Sequence, residues 1–349
     1  MHKVKLLPFL LFLSVCLWAE IPVGYYQAAE GKKDAVLKTA LFNIIRTHTQ
    51  LEYYSSSTHF RSTDWHPDGY FWDMYSSNKR TSWSGLNREH CMPKSWFGIS
   101  SGQENSAPIS TDLNNLYPSD PNANQEKSNY PLGETGSSLI YTNGVSKVGK
   151  SAFAGYSGTV FEPADEYKGD FARTYMYMVT CYEDYSTAWQ STGTSSMLYQ
   201  NTYPVFKPYA VNLLLKWHRN DPVSEKELNR NDAVYDVQHN RNPYIDYPAL
   251  AEYIWGNGKG KEWDASSENY PVPEYFNVSY KHINKQLTVK LTPVSNAPYM
   301  VYSLEGRRLL SGTLTSATTT ITLSELNTGT YLLIVNSSQN KYAKLFLVY

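Results

Sequence analysis

Residues 87–98 read "NREHCMPKSWFG", an arginine, glutamate, histidine and cysteine in a row, with a proline two residues after the cysteine. Neighbouring side chains on a regular strand point to opposite faces, so Glu89 and His90 cannot both face one site from an unbroken strand. The strand is therefore expected to end or bulge at 89–91, and Pro93 suits such an ending. Further on, "SDPNANQEKSN" at 119–129 reads as the start of a helix. Asp120 is placed to cap it, Pro121 to occupy its first position, and Glu126 and Lys127 to sustain it, which puts Asn124 in the first turn.

Outward from this stretch, "DAVLKTALFNII" at 34–45 spaces Val36, Leu37, Ala40, Leu41, Ile44 and Ile45 as one face of an amphipathic helix, with Asp34 at its start. Residues 52–86 are rich in Ser, Tyr and Trp without clear periodicity and are expected to form loops with short strands. "DFARTYMYMVTCYEDY" at 170–185 and "VFKPYAVNLLLKWH" at 205–218 read as buried helices. In "DPVSEKELNRNDAVYDVQ" at 221–238, Ser224 and Glu227 form a capping-box pattern. From about 275 the pattern changes to alternating runs such as "LTVKL" and "TYLLIV" between Gly, Asn and Ser turns, a small all-β, sandwich-like module. The expected fold class is thus α+β: a mainly helical body over 20–255, a Gly-, Pro- and charge-rich linker over 256–274, and the β module over 275–349.

The first 19 residues place His2, Lys3 and Lys5 ahead of an apolar run that closes at Ala19, the layout of a secretory signal peptide. No later stretch approaches the roughly 20 apolar residues of a membrane helix, so an exported, soluble protein is expected, as a monomer. Cys16 lies in the leader, which leaves Cys91 and Cys181 for at most one disulfide. Residues 20–274 carry 22 Lys/Arg against 30 Asp/Glu, a balance of −8, and 275–349 carry seven against two, a balance of +5. An acidic body argues against holding nucleic acid on a broad basic face; a polyanion would need a metal or a local group of cations.

Residues 85–129 carry a set of groups suited to phosphodiester chemistry. A neutral imidazole takes a proton from water, and one hard cation offsets charge on the phosphoryl and leaving oxygens. Such cations favour oxygen ligands, usually a carboxylate or side-chain amide plus water. His90, with Glu89 and Asn124 as metal ligands, supplies that combination.

"NREHCMPKSWFG", "DLNNLYPSDPNANQEKSN", "GDFARTYMYM" and "WHRNDPVSEKELNRNDAVYDVQHNRNPYIDYP" resemble, in order and spacing, bacterial endonuclease I, secreted or periplasmic nucleases of the ββα-metal (His-Me finger) type. The resemblance spans roughly residues 30–255. It implies largely sequence-non-specific cleavage of DNA, often also RNA, with one divalent ion, Mg²⁺ or in its place Mn²⁺ or Ca²⁺. It implies His90 as general base, Glu89 and Asn124 as metal ligands, and Arg173 as a residue that meets a phosphate. Asn114 and Lys127 stand where relatives often carry His and Arg, and no basic residue in "ISSGQENSAPIS" matches the finger that some members place after "WFG". The C-terminal module resembles a type A sorting domain of the type IX secretion system, which implies the secretion machinery as a partner and export across an outer membrane to the medium or the cell surface.

Each residue also has a plainer reading. His90 alone would more often be a buried, hydrogen-bonded histidine, and Asn124 a cap or loop residue. Arg173 has Asp170 and Glu183 as candidate ion-pair partners. A Cys91/His90 nucleophile pair is disfavoured, because sequence neighbours seldom form such a pair. Gln238, Asn240, Arg241 and Asn242 are expected to tie loops to the core. The Tyr-rich segment 52–86 would either pack or offer a groove for stacking bases. The rival to a nuclease is a non-catalytic, aromatic-rich surface module that binds glycans.

Overall fold

Leu37, Leu41 and Ile45 recur at helical spacing and are fully buried on α1 (Asp34–Ile45), whereas Val36 on the same helix faces solvent. The computed structural model describes residues 21–99, 102–189, 197–267, 275–281, 285–292, 296–304, 306–316, 318–336 and 341–348. The expected signal peptide lies outside them. The chain forms two units, divided between Glu268 and Asn269.

In the first unit, α1 and the short α2 (Phe60–Thr63) precede a two-stranded hairpin, β1 (Trp65–His66) with β2 (Tyr70–Phe71). The hairpin sits in the segment expected to be loops with short strands. Next come β3 (Asn87–His90), β4 (Leu116–Ser119) and α3 (Pro121–Lys127). An antiparallel sheet follows, β5 (Thr135–Thr142), β6 (Lys147–Ser151) and β7 (Thr159–Glu162). The remaining helices are α4 (Lys168–Cys181), α5 (Pro208–Asn220), α6 (Glu225–Gln238), α7 (Pro243–Asp246) and α8 (Leu250–Trp255). Almost all of α4 is buried, with α1 and α5 packed against it, so it is the central helix of the unit rather than a one-faced surface helix. The body is α+β, with both helices and sheets around one apolar core.

Part of the expected linker belongs to this unit. Trp263 is fully buried, its amide donates to the Lys32 carbonyl, and its own carbonyl accepts from the Gly31 amide. The Gly- and charge-rich composition that suggested a linker belongs here to turns that return the chain to the start of α1. Residues 268–274 lie outside the described set.

The second unit is all β. One antiparallel sheet has the order β12 (Thr318–Thr322), β9 (Gln286–Thr292), β8 (Tyr275–Lys281). The other has the order β11 (Arg308–Leu314), β10 (Ala297–Ser303), β13 (Gly329–Asn336), β14 (Lys341–Val348). Alternate residues of both sheets, including Leu287, Val289 and Leu291 with Val301, Leu333 and Val335, supply a separate apolar core.

Candidate active site

The strand β3 pairs antiparallel with β4 in the register Arg88↔Pro118, Glu89↔Tyr117, His90↔Leu116. It stops at His90. The Cys91 amide then donates to the Asn115 carbonyl, and Pro93 opens a short 3₁₀ turn over Lys94–Trp96. β4 leads directly into α3, capped by Asp120, whose carboxylate accepts from the Asn122 and Ala123 amides, with Pro121 in the first turn. β3, β4 and α3 are therefore a β-β-α unit.

Strand alternation sends Arg88 and His90 to one face of β3 and Glu89 to the other. On the Glu89 side, Lys127 Nζ donates to Glu89 Oε1 at 2.6 Å and to the His90 carbonyl at 3.3 Å. Asn124 lies one turn before Lys127 on α3, partly exposed, and its side-chain amide makes no hydrogen bond among the described residues. Burial raises the Glu89 carboxyl above its ordinary value, although Lys127 opposes the rise. The acid is thus desolvated, held by Lys127 and by the His90 amide.

On the opposite side the His90 ring is nearly buried. Its Nε2 stands 2.8 Å from the Ser110 carbonyl. A carbonyl only accepts, so Nε2 carries the proton and Nδ1 keeps its lone pair. Tyr53 stacks on the ring at 5.9 Å and 14°, and Phe97 meets it edge-on at 5.9 Å. Burial lowers the imidazole from its usual value to about 4; the Ser110 carbonyl opposes this, and the charges of Lys94 and Lys127 add to it. His90 is consequently a neutral base throughout the physiological range.

Sequence reasoning did not single out the groups around this ring. The Arg88 guanidinium lies 4.8 Å from the Tyr53 ring centre and donates to the Tyr54 carbonyl at 2.6 Å. Lys94 sits 5.9 Å from the same ring and pairs with Glu104. The signal available was the i, i+2 spacing of Arg88 and His90, which assigns them to one face; that Tyr53 would cover this face could not be read from the sequence.

Arg173 departs from expectation. It is fully buried, donates to both carboxylate oxygens of Glu227 at 2.5 and 2.8 Å, and also reaches the Asp221 carbonyl at 2.8 Å. It has no surface to offer a phosphate, so its place is in a structural ion pair. The partner is neither of the two candidates named from the sequence: Asp170 pairs with Lys226, and Glu183 with Lys38.

Cys91 and Cys181 are both free and buried, so the one disulfide the sequence allowed is not formed. Burial raises the Cys91 thiol well out of the nucleophilic range, against a Cys/His pair with His90. Gln238, Asn240, Arg241 and Asn242 do join loops to the core: Gln238 and Asn240 bond to each other, Asn240 reaches the Ile45 carbonyl, Arg241 pairs with Asp246, and Asn242 caps α7.

A second group, His48, Asp112 and Cys181, has its ligand atoms within 4.8 Å of one another. Asp112 already accepts from the Tyr177 and Tyr182 hydroxyls, the Asn114 amide and Gln238 Nε2. Burial holds Cys181 as a thiol. Saturated and partly sulfur-based, this set suits a hydrogen-bonded core better than a hard cation. Glu89 and Asn124 carry the oxygen ligand types that such an ion favours.

With this geometry in place, residues 34–249 match the family model for Endonuclease I. The chain belongs to the endonuclease I family. Endonuclease I relatives include an extracellular ribonuclease of Bacillus amyloliquefaciens, 35% identical over 248 residues that cover 66% of this chain and 78% of the relative. An extracellular ribonuclease of Bacillus subtilis is 33% identical over the same shares. Residues 270–349 match the secretion system C-terminal sorting domain. This member of the family is therefore an enzyme that hydrolyses phosphodiester bonds and is exported by type IX secretion. That assignment replaces the glycan-binding alternative. Its family suggests a divalent metal. No helix among the described residues is long and apolar enough to cross a membrane.

Proposed function

We propose that the protein cleaves RNA, and DNA as well, largely without regard to sequence, using a ββα-metal (His-Me finger) site built on β3, β4 and α3. The observation that carries this reading is the contact of His90 Nε2 with the Ser110 carbonyl: a carbonyl only accepts, so the proton sits on Nε2 and a neutral Nδ1 is left to take a proton from water. Its position at the end of β3 and the burial that keeps it uncharged support the role of general base.

Glu89 and Asn124 are the proposed ligands of one divalent ion, Mg²⁺ in the first instance; β3 ends at His90, so in this reading a phosphate at the strand end meets the ion on the Glu89 side and the imidazole on the other. Bound there, the ion would offset charge that develops on the phosphate. Glu89 supplies the negative charge and Asn124 a neutral amide oxygen, while Lys127 holds the remaining carboxylate oxygen in orientation. Because Lys127 neutralises much of Glu89, the ion should be bound weakly and exchange readily. The printed names of the Bacillus relatives support RNA as a substrate, and the wider family supports DNA.

The test is cleavage of a defined RNA and of plasmid DNA by the purified protein, with and without EDTA. Chelator-sensitive cleavage of both is expected. Cleavage that persists in EDTA removes the metal from the account, and activity on one polymer alone narrows the substrate to that polymer.

A further inference from the structure

A scissile phosphate beside His90 needs a cation on that face of β3, and most of the basic side chains nearby are already committed. Arg173 is sealed in its pair with Glu227. Lys127 is fully buried on the Glu89 side. Arg88 spends its guanidinium on the Tyr54 carbonyl and on the rings of Tyr53 and Tyr54. Lys94 differs in its partner. Like Arg88 it approaches the Tyr53 ring that stacks on His90, and its side chain is 36% exposed, but it is held by a carboxylate, Glu104, across a partly exposed pair.

From this arrangement we infer that Lys94 is the catalytic cation that contacts the scissile phosphate, and that Glu104 is the counter-ion which the phosphate displaces. The inference rests on the function proposed above. Three physical points support it. The pair reaches solvent, so exchanging one anion for another costs little, unlike opening the buried Arg173–Glu227 pair. Pro93 and the 3₁₀ turn fix the start of the Lys94 side chain only four residues beyond His90, so the ammonium is anchored just past the strand end that carries the base. Finally, an acidic body has few cations to spare, and an ammonium kept in place by a replaceable carboxylate is already oriented when substrate arrives.

The experiment is steady-state cleavage of a short RNA by the full chain and by Lys94→Met, Lys94→Arg and Glu104→Gln, with melting temperatures for each. Lys94→Met should lower kcat by about 10²–10³, the usual effect of removing one preorganised charge, with an unchanged metal requirement. Lys94→Arg should recover to within about tenfold of the parent. Glu104→Gln should act in the opposite sense and lower KM, because it removes the anion that competes with phosphate. A purely structural pair would make Lys94→Met and Glu104→Gln lose activity together and in step with their melting temperatures, and that result overturns the inference. So does a kcat for Lys94→Met within threefold of the parent. His90→Ala is assayed beside them: if it stays active, the function proposed above fails, whatever Lys94 does.

Discussion

At the scale of single residues, the proposed chemistry rests on a histidine that burial keeps uncharged. His90→Ala should lower turnover by about 10²–10⁴, the share of a general base, while far-UV circular dichroism and metal binding stay close to the parent. The acid limb of kcat/KM should lie well below pH 6.5, toward the value of about 4 that burial imposes on His90. His218 is depressed to about 4 in the same way, by burial first and by the neighbouring Arg173 second. For both, the folded pKa lies below the unfolded one. The stability they contribute is therefore complete above about pH 6.5 and is lost as pH falls through about 4. Urea midpoints measured at pH 7, 5.5 and 4 should fall across that window; a flat profile down to pH 4.5 would show that these rings are not buried neutral. His90, Glu89 and Asn124 stood out in the sequence because each lies in a short block whose local geometry, a strand end and a capped helix, is set by its neighbours. The Arg173 pair could not be read from the sequence because its partner Glu227, on α6, is 54 residues away and meets it only in the folded chain.

At the scale of elements, the capped helices were legible and the roles of their buried sides were not. Asp120 caps α3 and Pro121 opens it, and the capping box of Ser224 and Glu227 on α6 is fully made. Glu227 has a further role: the carboxylate that completes the box also takes both guanidinium contacts from Arg173. Losing a cap alone costs about 1 kcal/mol, whereas opening a buried ion pair costs about 3–5 kcal/mol. Glu227→Gln should therefore destabilise the fold by an amount closer to the second figure in guanidinium denaturation. A loss of about 1 kcal/mol or less would mean that the ion pair adds little. The linker expectation over 256–274 failed in its first half for a related reason. Gly and Lys residues look alike in a linker and in a surface turn, and only the burial of Trp263, bonded to Gly31 and Lys32 ahead of α1, separates the two. Strands β5 to β7 were not placed from sequence at all, since β5 is exposed along most of its length and lacks a clear apolar alternation.

At the scale of the whole molecule, an acidic nuclease unit and a basic β unit with its own core share one exported chain. The balance of −8 over residues 20–274 implies few phosphate contacts. The logarithm of substrate affinity should thus fall with the logarithm of salt concentration at a slope no steeper than about 3, and a slope near 6 or above would reveal a basic groove. The division into a mixed body and an all-β tail was legible because the period of the apolar pattern changes from helical to alternating. The placement of Tyr53 over His90 was not, because it depends on how a loop of irregular sequence packs on β3. The central claim is that His90 works beside one hard cation held by Glu89 and Asn124. Its most direct test is the Mg²⁺ dependence of cleavage by the full chain, Glu89→Gln and Asn124→Ala, with each variant's melting temperature in EDTA as a control for folding. The half-saturating Mg²⁺ concentration should rise in both variants, and further for Glu89→Gln, which removes a full charge where Asn124→Ala removes only a dipole. Unchanged Mg²⁺ requirements in two well-folded variants would place the ion elsewhere and contradict the account.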